Sequence, residues 1–247
     1  GTKIFRLEDH TNRLFESADA VNMEIPFSRE KFNEVQKEIF KVNNLKEGYI
    51  RPMCFYGAQG MGLRADNLKT HCIVAAWEWP SYMSPEAFDE GIKIKISSYK
   101  RQTNNLVSRS KVNGNYVTSI MALQEAMQEG FDEALLLDDE TNVSEGSGEN
   151  LFLVKEGKLF TPDLAASLNG ITRKSIISLA KEDGIEVKVK KISLNEILDA
   201  DELFFTGTAA EVVPIRMVDQ NLIANGKRGP ITTILQKKYF DQVRGKR

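Results

Sequence analysis

Pro80-Ser-Tyr-Met-Ser-Pro85 places two prolines and two serines in six residues, and this stretch divides the chain. Proline removes a backbone donor and pushes the residue before it out of the helical region, so no helix or central strand runs through. The patterns on its two sides differ. Before it, residues 7–20 and 28–43 read as helices, the second opened by Ser28 as N-cap with Phe32, Val35, Ile39 and Val42 on one stripe. Tyr49–Tyr56 and Thr70–Trp79 then read as apolar strands joined by a Gly-rich loop, Gly57–Asn67.

After it, strands and helices mix. Gly91–Ser98 and Glu133–Asp139 read as strands around a helix at Asn115–Gly130 that Gly130 closes. Leu151–Val154 and Lys158–Thr161 form a hairpin across Glu156-Gly157. Ile171–Asp183 is a helix ended by Gly184, Ile185–Ile192 a strand, and Ser193-x-x-Glu196 a capping box. Strands at Leu203–Thr206 and Glu211–Val218 and a helix at Pro230–Arg244 complete the pattern. The expectation is an α+β protein with a small N-terminal α/β domain (1–79), a linker (80–90) and a larger mixed α/β domain (91–247).

The bulk numbers exclude more than they identify. Hydrophobic content of 41% and charged content of 28% fit an ordinary globular chain. A net charge of -2 gives no footprint for nucleic acid or an anionic membrane. No apolar run approaches the roughly 18 residues of a membrane-spanning helix, and Gly1–Arg6 has no signal-like apolar stretch. Cys54 and Cys72 lie in apolar strand-like runs and read as buried free thiols in a reducing cytoplasm. His10 and His71 read as a helix-surface and a strand-end histidine, and no metal site is expected.

The chemistry concentrates in two runs, Ser110-Lys-Val-Asn-Gly-Asn-Tyr116 and Ser144-Glu-Gly-Ser-Gly-Glu-Asn150. They offer a lysine in a polar loop, a tyrosine five residues on and two carboxylates in a glycine-rich turn. Pyridoxal phosphate asks for this set: an amine for a Schiff base, a phenol beside the ring oxygen, and an acid that keeps the ring nitrogen protonated. The same residues also fit a solvated lysine beside an ordinary turn. The spacing leaves both readings open.

Four motifs in order go further: Lys111-x-x-Gly-x-Tyr116, Ser144-Glu-Gly-x-Gly-Glu-Asn-Leu-Phe152, Gly170-Ile-Thr-Arg173 and Gly207-Thr-Ala-Ala-Glu211. Together they resemble the fold-type IV pyridoxal-phosphate aminotransferases, most closely the branched-chain amino acid aminotransferases, over about residues 3–240. The resemblance implies pyridoxal 5'-phosphate as cofactor, Lys111 as Schiff-base lysine and proton carrier, and Glu145 as partner of the ring nitrogen. It implies Tyr116 beside the ring oxygen, Leu168 packed on the ring, and Glu149 in support. The phosphate would lie on the helix start at Ile171 and Thr172 with Thr208 and Arg13 beside it. Read without the family, Arg13 is a charged position on an amphipathic helix. Asn169 departs from the family, whose members often carry proline there.

For substrate, the resemblance implies that Tyr49 and Arg51, with Thr208 and Ala209, hold the alpha-carboxylate. A strand puts Tyr49 and Arg51 on one face, so both can reach one site. Trp79 and Tyr82 match aromatics lining an apolar side-chain pocket; aromatic packing at a domain junction explains them equally well. Gly60-Met-Gly-Leu63 resembles a turn that enters a neighbouring subunit's site, which implies a homodimer. The expected reaction is ping-pong transamination of leucine, isoleucine or valine with 2-oxoglutarate by a cytoplasmic enzyme. A D-amino-acid aminotransferase, an aminodeoxychorismate lyase of the same fold, and a catalytically impaired cofactor-binding protein are the alternatives.

Two helices and two strands make a poor domain, because a two-stranded sheet buries little and leaves its edges open. Family members begin roughly fifty residues earlier, about the lower limit of domain size. The resemblance therefore implies an incomplete small domain in this chain.

Overall fold

The computed structural model describes residues 3–79, 81–103 and 109–245. Its packing divides the chain into two units, Gly1–Pro80 with Ser110–Val112, and Ser81–Arg109 with Asn113–Arg247. Ser81–Glu90, expected as linker, groups with the larger unit. Lys111, expected in the larger domain, groups with the smaller. Pro80 lies outside the described residues.

In the smaller unit, helices α1 (Leu7–Asp19) and α2 (Arg29–Val42) accompany an antiparallel pair, β1 (Tyr49–Tyr56) and β2 (Thr70–Trp77). The Ser28 hydroxyl accepts the Lys31 N–H at 3.2 Å and caps α2 as its sequence implies. The buried stripe differs from the expected one. Phe32, Gln36 and Phe40 are buried, whereas Val42, in the last turn, is exposed. Gln36 is accommodated because its amide donates to Thr11 Oγ1 of α1 at 2.9 Å and to the Phe32 carbonyl. α1 packs on α2 and β1, and α2 on β2. The sheet has two strands among the described residues.

The larger unit holds α3 (Pro85–Glu90), β3 (Ile92–Arg101), a 3-10 turn at Asn113–Asn115, α4 (Tyr116–Gln128), β4 (Glu133–Asp138), β5 (Val143–Gly146), β6 (Asn150–Lys155) and β7 (Lys158–Pro162). It continues through α5 (Ile171–Glu182), β8 (Val187–Lys190), α6 (Leu194–Leu198), β9 (Glu202–Gly207), β10 (Glu211–Val218), β11 (Asn221–Leu222) and α7 (Pro230–Val243). Strands run β11-β10-β3-β4-β5-β6-β7-β8, and β9 pairs with both β10 and β6. Strands β10, β3, β4, β5, β6 and β9 therefore close into a ring. Its interior is filled by Ile94, Leu135, Val143, Leu151, Leu203, Phe205 and Val213, all buried. β4, whose six residues are all buried, has no wet face. The chain is thus α+β, and among the described residues no helix is long and apolar enough to cross a membrane.

Local signals explain most boundaries. Glu156 and Gly157 both take positive φ, 50° and 73°, as a two-residue hairpin turn between β6 and β7 requires. The capping box at Ser193 and Glu196 forms in full. One expectation fails: Ser144–Gly146, read as part of a glycine-rich turn, lies in strand β5. Both neighbours supply ladder bonds there, so pairing outweighs the turn-like composition.

Candidate active site

In the larger unit, Glu145 stands on β5 with its side chain buried. One carboxylate oxygen lies 3.3 Å from Arg101 Nη2. The other accepts the Leu168 N–H at 3.0 Å and the Asn150 amide at 3.4 Å. Arg101 also donates to the Asn115 carbonyl at 3.1 Å and the Ser119 hydroxyl at 2.7 Å. It thereby ties Glu145 to the first turn of α4, where Tyr116 sits.

Asn150 is the second knot. Its amide donates to the Leu168 carbonyl at 2.8 Å as well as to Glu145. A Cβ placed on Gly170 would stand 2.0 Å from Asn150 Oδ1, so only glycine lets the α5 entry pass this close. Helix α5 begins at Gly170 with no side-chain cap, and the buried residues Ile171 and Thr172 provide its first turn. The Thr172 hydroxyl lies 3.5 Å from the Tyr239 phenol of α7. What the helix start can offer an anion is therefore its backbone N–H groups and dipole. Arg173, the last residue of that motif, is a strut: it donates to Thr161 at 3.2 Å and to the Pro162 carbonyl at 3.0 Å. Thr208 is exposed and Ala209 half-buried in the turn between β9 and β10.

Behind Glu145 lies a carboxylate pair. Glu149 is buried between Gly146 and Gly207 and accepts the Gly148 N–H at 2.9 Å. Burial, then the charge of Glu133, holds its carboxyl well above the ordinary range. Burial likewise raises Glu133, whose Oε1 accepts the Ala134 N–H at 2.7 Å. Tyr82, of the same unit, is pushed up to about 12 by burial and by these two carboxylates.

In the smaller unit, α1 places Arg13 one turn before Ser17. The Ser17 hydroxyl donates to the Arg13 carbonyl at 2.8 Å and accepts the Lys111 N–H at 3.0 Å. Lys111 is exposed. His10, read from sequence as a surface histidine, is half-buried one turn earlier. Burial first, and then the Arg13 and Lys111 cations, lower its pKa to about 4. These residues form a cationic patch.

The strand pair carries the other group. Tyr49 packs against Trp77 and Trp79 at ring separations of 5.2 and 4.8 Å. The Arg51 guanidinium lies 5.4 Å from the rings of both Tyr49 and Trp77. A Cβ on Gly48 would stand 2.2 Å from the Trp77 carbonyl, so this glycine admits the close approach.

The structure thus gathers Glu145 and Leu168 around Asn150, beside the α5 start. It gathers Arg13 and Lys111 around Ser17, and Tyr49, Arg51 and Trp79 around Trp77. Sequence reasoning missed Arg101, Ser17, Asn150 as a linchpin, and Trp77. Ser17 stood four residues from Arg13 on one helix face, and Trp77 two residues from Trp79 at the end of one apolar run. Arg101 gave no signal, because its partners are distant in sequence.

The amino-transferase class IV family profile matches residues 1–218. A branched-chain-amino-acid aminotransferase of Pseudomonas aeruginosa is 54% identical over 247 residues, covering 100% of this chain and 80% of that protein. The crystal structure of the Escherichia coli branched-chain amino acid aminotransferase superposes with a TM-score of 0.95 at 40% identity, covering 98% of this chain and 80% of that one. That of the T.th. branched-chain amino acid aminotransferase complexed with N-(5'-phosphopyridoxyl)-L-glutamate gives 0.94 at 42% identity, covering 98% and 80%.

Proposed function

The chain belongs to the amino-transferase class IV family, and we propose from that membership that it transaminates leucine, isoleucine and valine with 2-oxoglutarate, using pyridoxal 5'-phosphate. The observation that carries the site is the Asn150 knot. It fastens a buried carboxylate, Glu145, to an uncapped helix start at Gly170, as a cofactor with a basic ring nitrogen and a phosphate demands. The phosphopyridoxyl-glutamate adduct in the solved T.th. relative supports glutamate as the amino product.

When bound, the cofactor supplies an electron-withdrawing ring that acidifies the amino acid's alpha C–H bond. The residues do the rest. Lys111 would carry the amine that holds the cofactor and would move the proton at the alpha carbon. Glu145, buried on β5, would hold the proton on the ring nitrogen. Tyr116, which follows Asn115 at the start of α4, would bond the ring oxygen, and Leu168 would pack on the ring. By resemblance to the family, the Ile171 and Thr172 N–H groups, Thr208 and Arg13 would hold the phosphate. On the same ground Tyr49 and Arg51 with Thr208 and Ala209 would hold the substrate carboxylate, and Trp79 and Tyr82 would border its apolar side chain.

The reading includes a cytoplasmic homodimer. Met61 and Leu63, at the tip of the loop between β1 and β2, are fully exposed, and paired apolar side chains in water invite cover by a second copy.

The test is the visible spectrum of the cofactor-loaded protein. A band that L-leucine bleaches and 2-oxoglutarate restores is expected, with Lys111→Ala showing neither band nor turnover. Bleaching by D-amino acids alone, or full turnover by Lys111→Ala with added amines excluded, overturns the reading.

A further inference from the structure

Cys54 and Cys72 read from sequence as free, buried thiols and not as a disulfide; in the structure they are half-buried and stand directly opposite one another on β1 and β2. Their sulfur atoms are 3.4 Å apart. The register identifies what kind of pair they make. The Gly57 N–H donates to the Lys69 carbonyl at 2.8 Å, and these two residues continue the same ladder. Hydrogen-bonded and non-hydrogen-bonded pairs alternate along an antiparallel ladder. Counting back from Gly57–Lys69, the pairs at Phe55–His71 and Met53–Ile73 are hydrogen-bonded, and Cys54–Cys72 is not. Pro52–Val74 falls in the same non-hydrogen-bonded class, which agrees with proline having no N–H to give. Non-hydrogen-bonded pairs bring the alpha carbons to about 4.5 Å and their side chains closest. That separation lies within the range a disulfide spans without moving the backbone.

We propose that Cys54 and Cys72 form a two-thiol modification site that closes to an intrachain disulfide with hydrogen peroxide and takes an aryl arsine oxide across both sulfurs, the arsenic-bound oxygen leaving with the two thiol protons as water. In the oxidation, two S–H bonds break and one S–S bond forms. The peroxide O–O bond accepts the two electrons and two protons and leaves as two waters. A thiolate first gives a sulfenic acid, and the second thiol then expels water from it. Burial and the neighbouring sulfur push the Cys54 thiol up to about 12. This suits Cys54 to the second role, the thiol that resolves. The closed form fixes the register of β1 against β2 on the strand that carries Tyr49 and Arg51, and makes the connecting loop a ring.

The test uses the full chain, treated with hydrogen peroxide, capped with iodoacetamide and digested with trypsin without reductant. Cleavage at Arg64 and Lys69 separates the two cysteines. The expected product is one linked peptide pair, two hydrogen atoms lighter than its parts, in protein that runs as a monomer on a non-reducing gel. Reduction with dithiothreitol should release both peptides. The untreated parent should also bind one phenylarsine oxide per chain, and Cys54→Ser and Cys72→Ser none. Both cysteines capped or over-oxidised in separate peptides, or linked only between chains, would overturn the proposal. Failure of the parent to bind the arsenical would do the same.

Discussion

Arg101 holds Glu145 through Nη2, 3.3 Å from Oε1, and the same nitrogen donates to the Ser119 hydroxyl at 2.7 Å. Both side chains are largely buried, 12% and 8% exposed. A buried ion pair is most costly when half of it is removed, because the remaining charge has neither water nor partner.

Arg101→Met should therefore destabilise the larger unit by about 3–5 kcal/mol. Adding Glu145→Gln should recover part of that loss. Urea unfolding of the two single variants and the double variant measures the coupling. If Arg101→Met loses less than about 1 kcal/mol, the value of an exposed pair, the pair is not the anchor described. Activity separates the two residues differently: Glu145→Gln should keep the cofactor and lose rate, since a neutral amide no longer holds the ring proton.

Arg13→Ala and Arg51→Ala should divide cofactor from substrate. Arg13 lies one turn from the serine that holds the Lys111 backbone, and Arg51 lies on the rings of Tyr49 and Trp77. A charge-assisted hydrogen bond is worth roughly 1.5–3 kcal/mol, or about tenfold to a hundredfold in affinity. Arg13→Ala should weaken pyridoxal phosphate by that factor, and Arg51→Ala should raise the KM for both amino acid and keto acid. Fluorescence titration of cofactor and steady-state kinetics measure each. Equal loss of cofactor in both variants, with KM unchanged, would mean the roles are misassigned.

Glu149 gives a prediction about pH. Burial and Glu133 raise its carboxyl well above 4.5, so the folded protein holds the proton more tightly than the unfolded chain. The stability this contributes is complete below the ordinary carboxylate value and is lost as pH rises through the folded one. Glu149→Gln imitates the protonated acid in shape and hydrogen bonding. It should unfold close to the parent at low pH and gain on it as pH rises. Urea midpoints at several pH values decide the matter. A variant that falls behind the parent with rising pH would show that Glu149 is carried ionised.

Much of this was legible from local signals. The Ser28 cap, the Ser193–Glu196 capping box, the Glu156-Gly157 turn and the periodic stretches of α4, α5 and α7 are written within a few residues. Non-local features were not. Strand β5 looked like a turn because its composition is Ser-Glu-Gly, and only pairing with β4 and β6 makes it a strand. Arg101 meets Glu145 across 44 positions of chain, and Cys54 meets Cys72 only once the hairpin register is fixed. His10 looked solvent-facing on a helix wheel, yet Lys111 comes to it from far along the chain.

That electrostatic influence supports a final prediction. His10 has its pKa lowered from 6.5 to about 4, by burial first and then by Arg13 and Lys111. A depressed imidazole is neutral in the fold while the unfolded chain takes up a proton. Its contribution to stability is therefore present above about 6.5 and is lost as pH falls from there to about 4. The sign is opposite to that of Glu149. His10→Asn should lose less stability than the parent across this window, as measured by urea unfolding in the cofactor-free protein. The chain has only two histidines, so an NMR titration reads His10 directly. Lys111→Met removes one of the three cations that lower it, Arg13, Lys111 and Arg6, and should move the His10 midpoint upward. It should not return it to 6.5, because burial is the larger cause. A midpoint already at 6.5 in the parent, or one that ignores Lys111→Met, would show that His10 does not share a patch with the lysine.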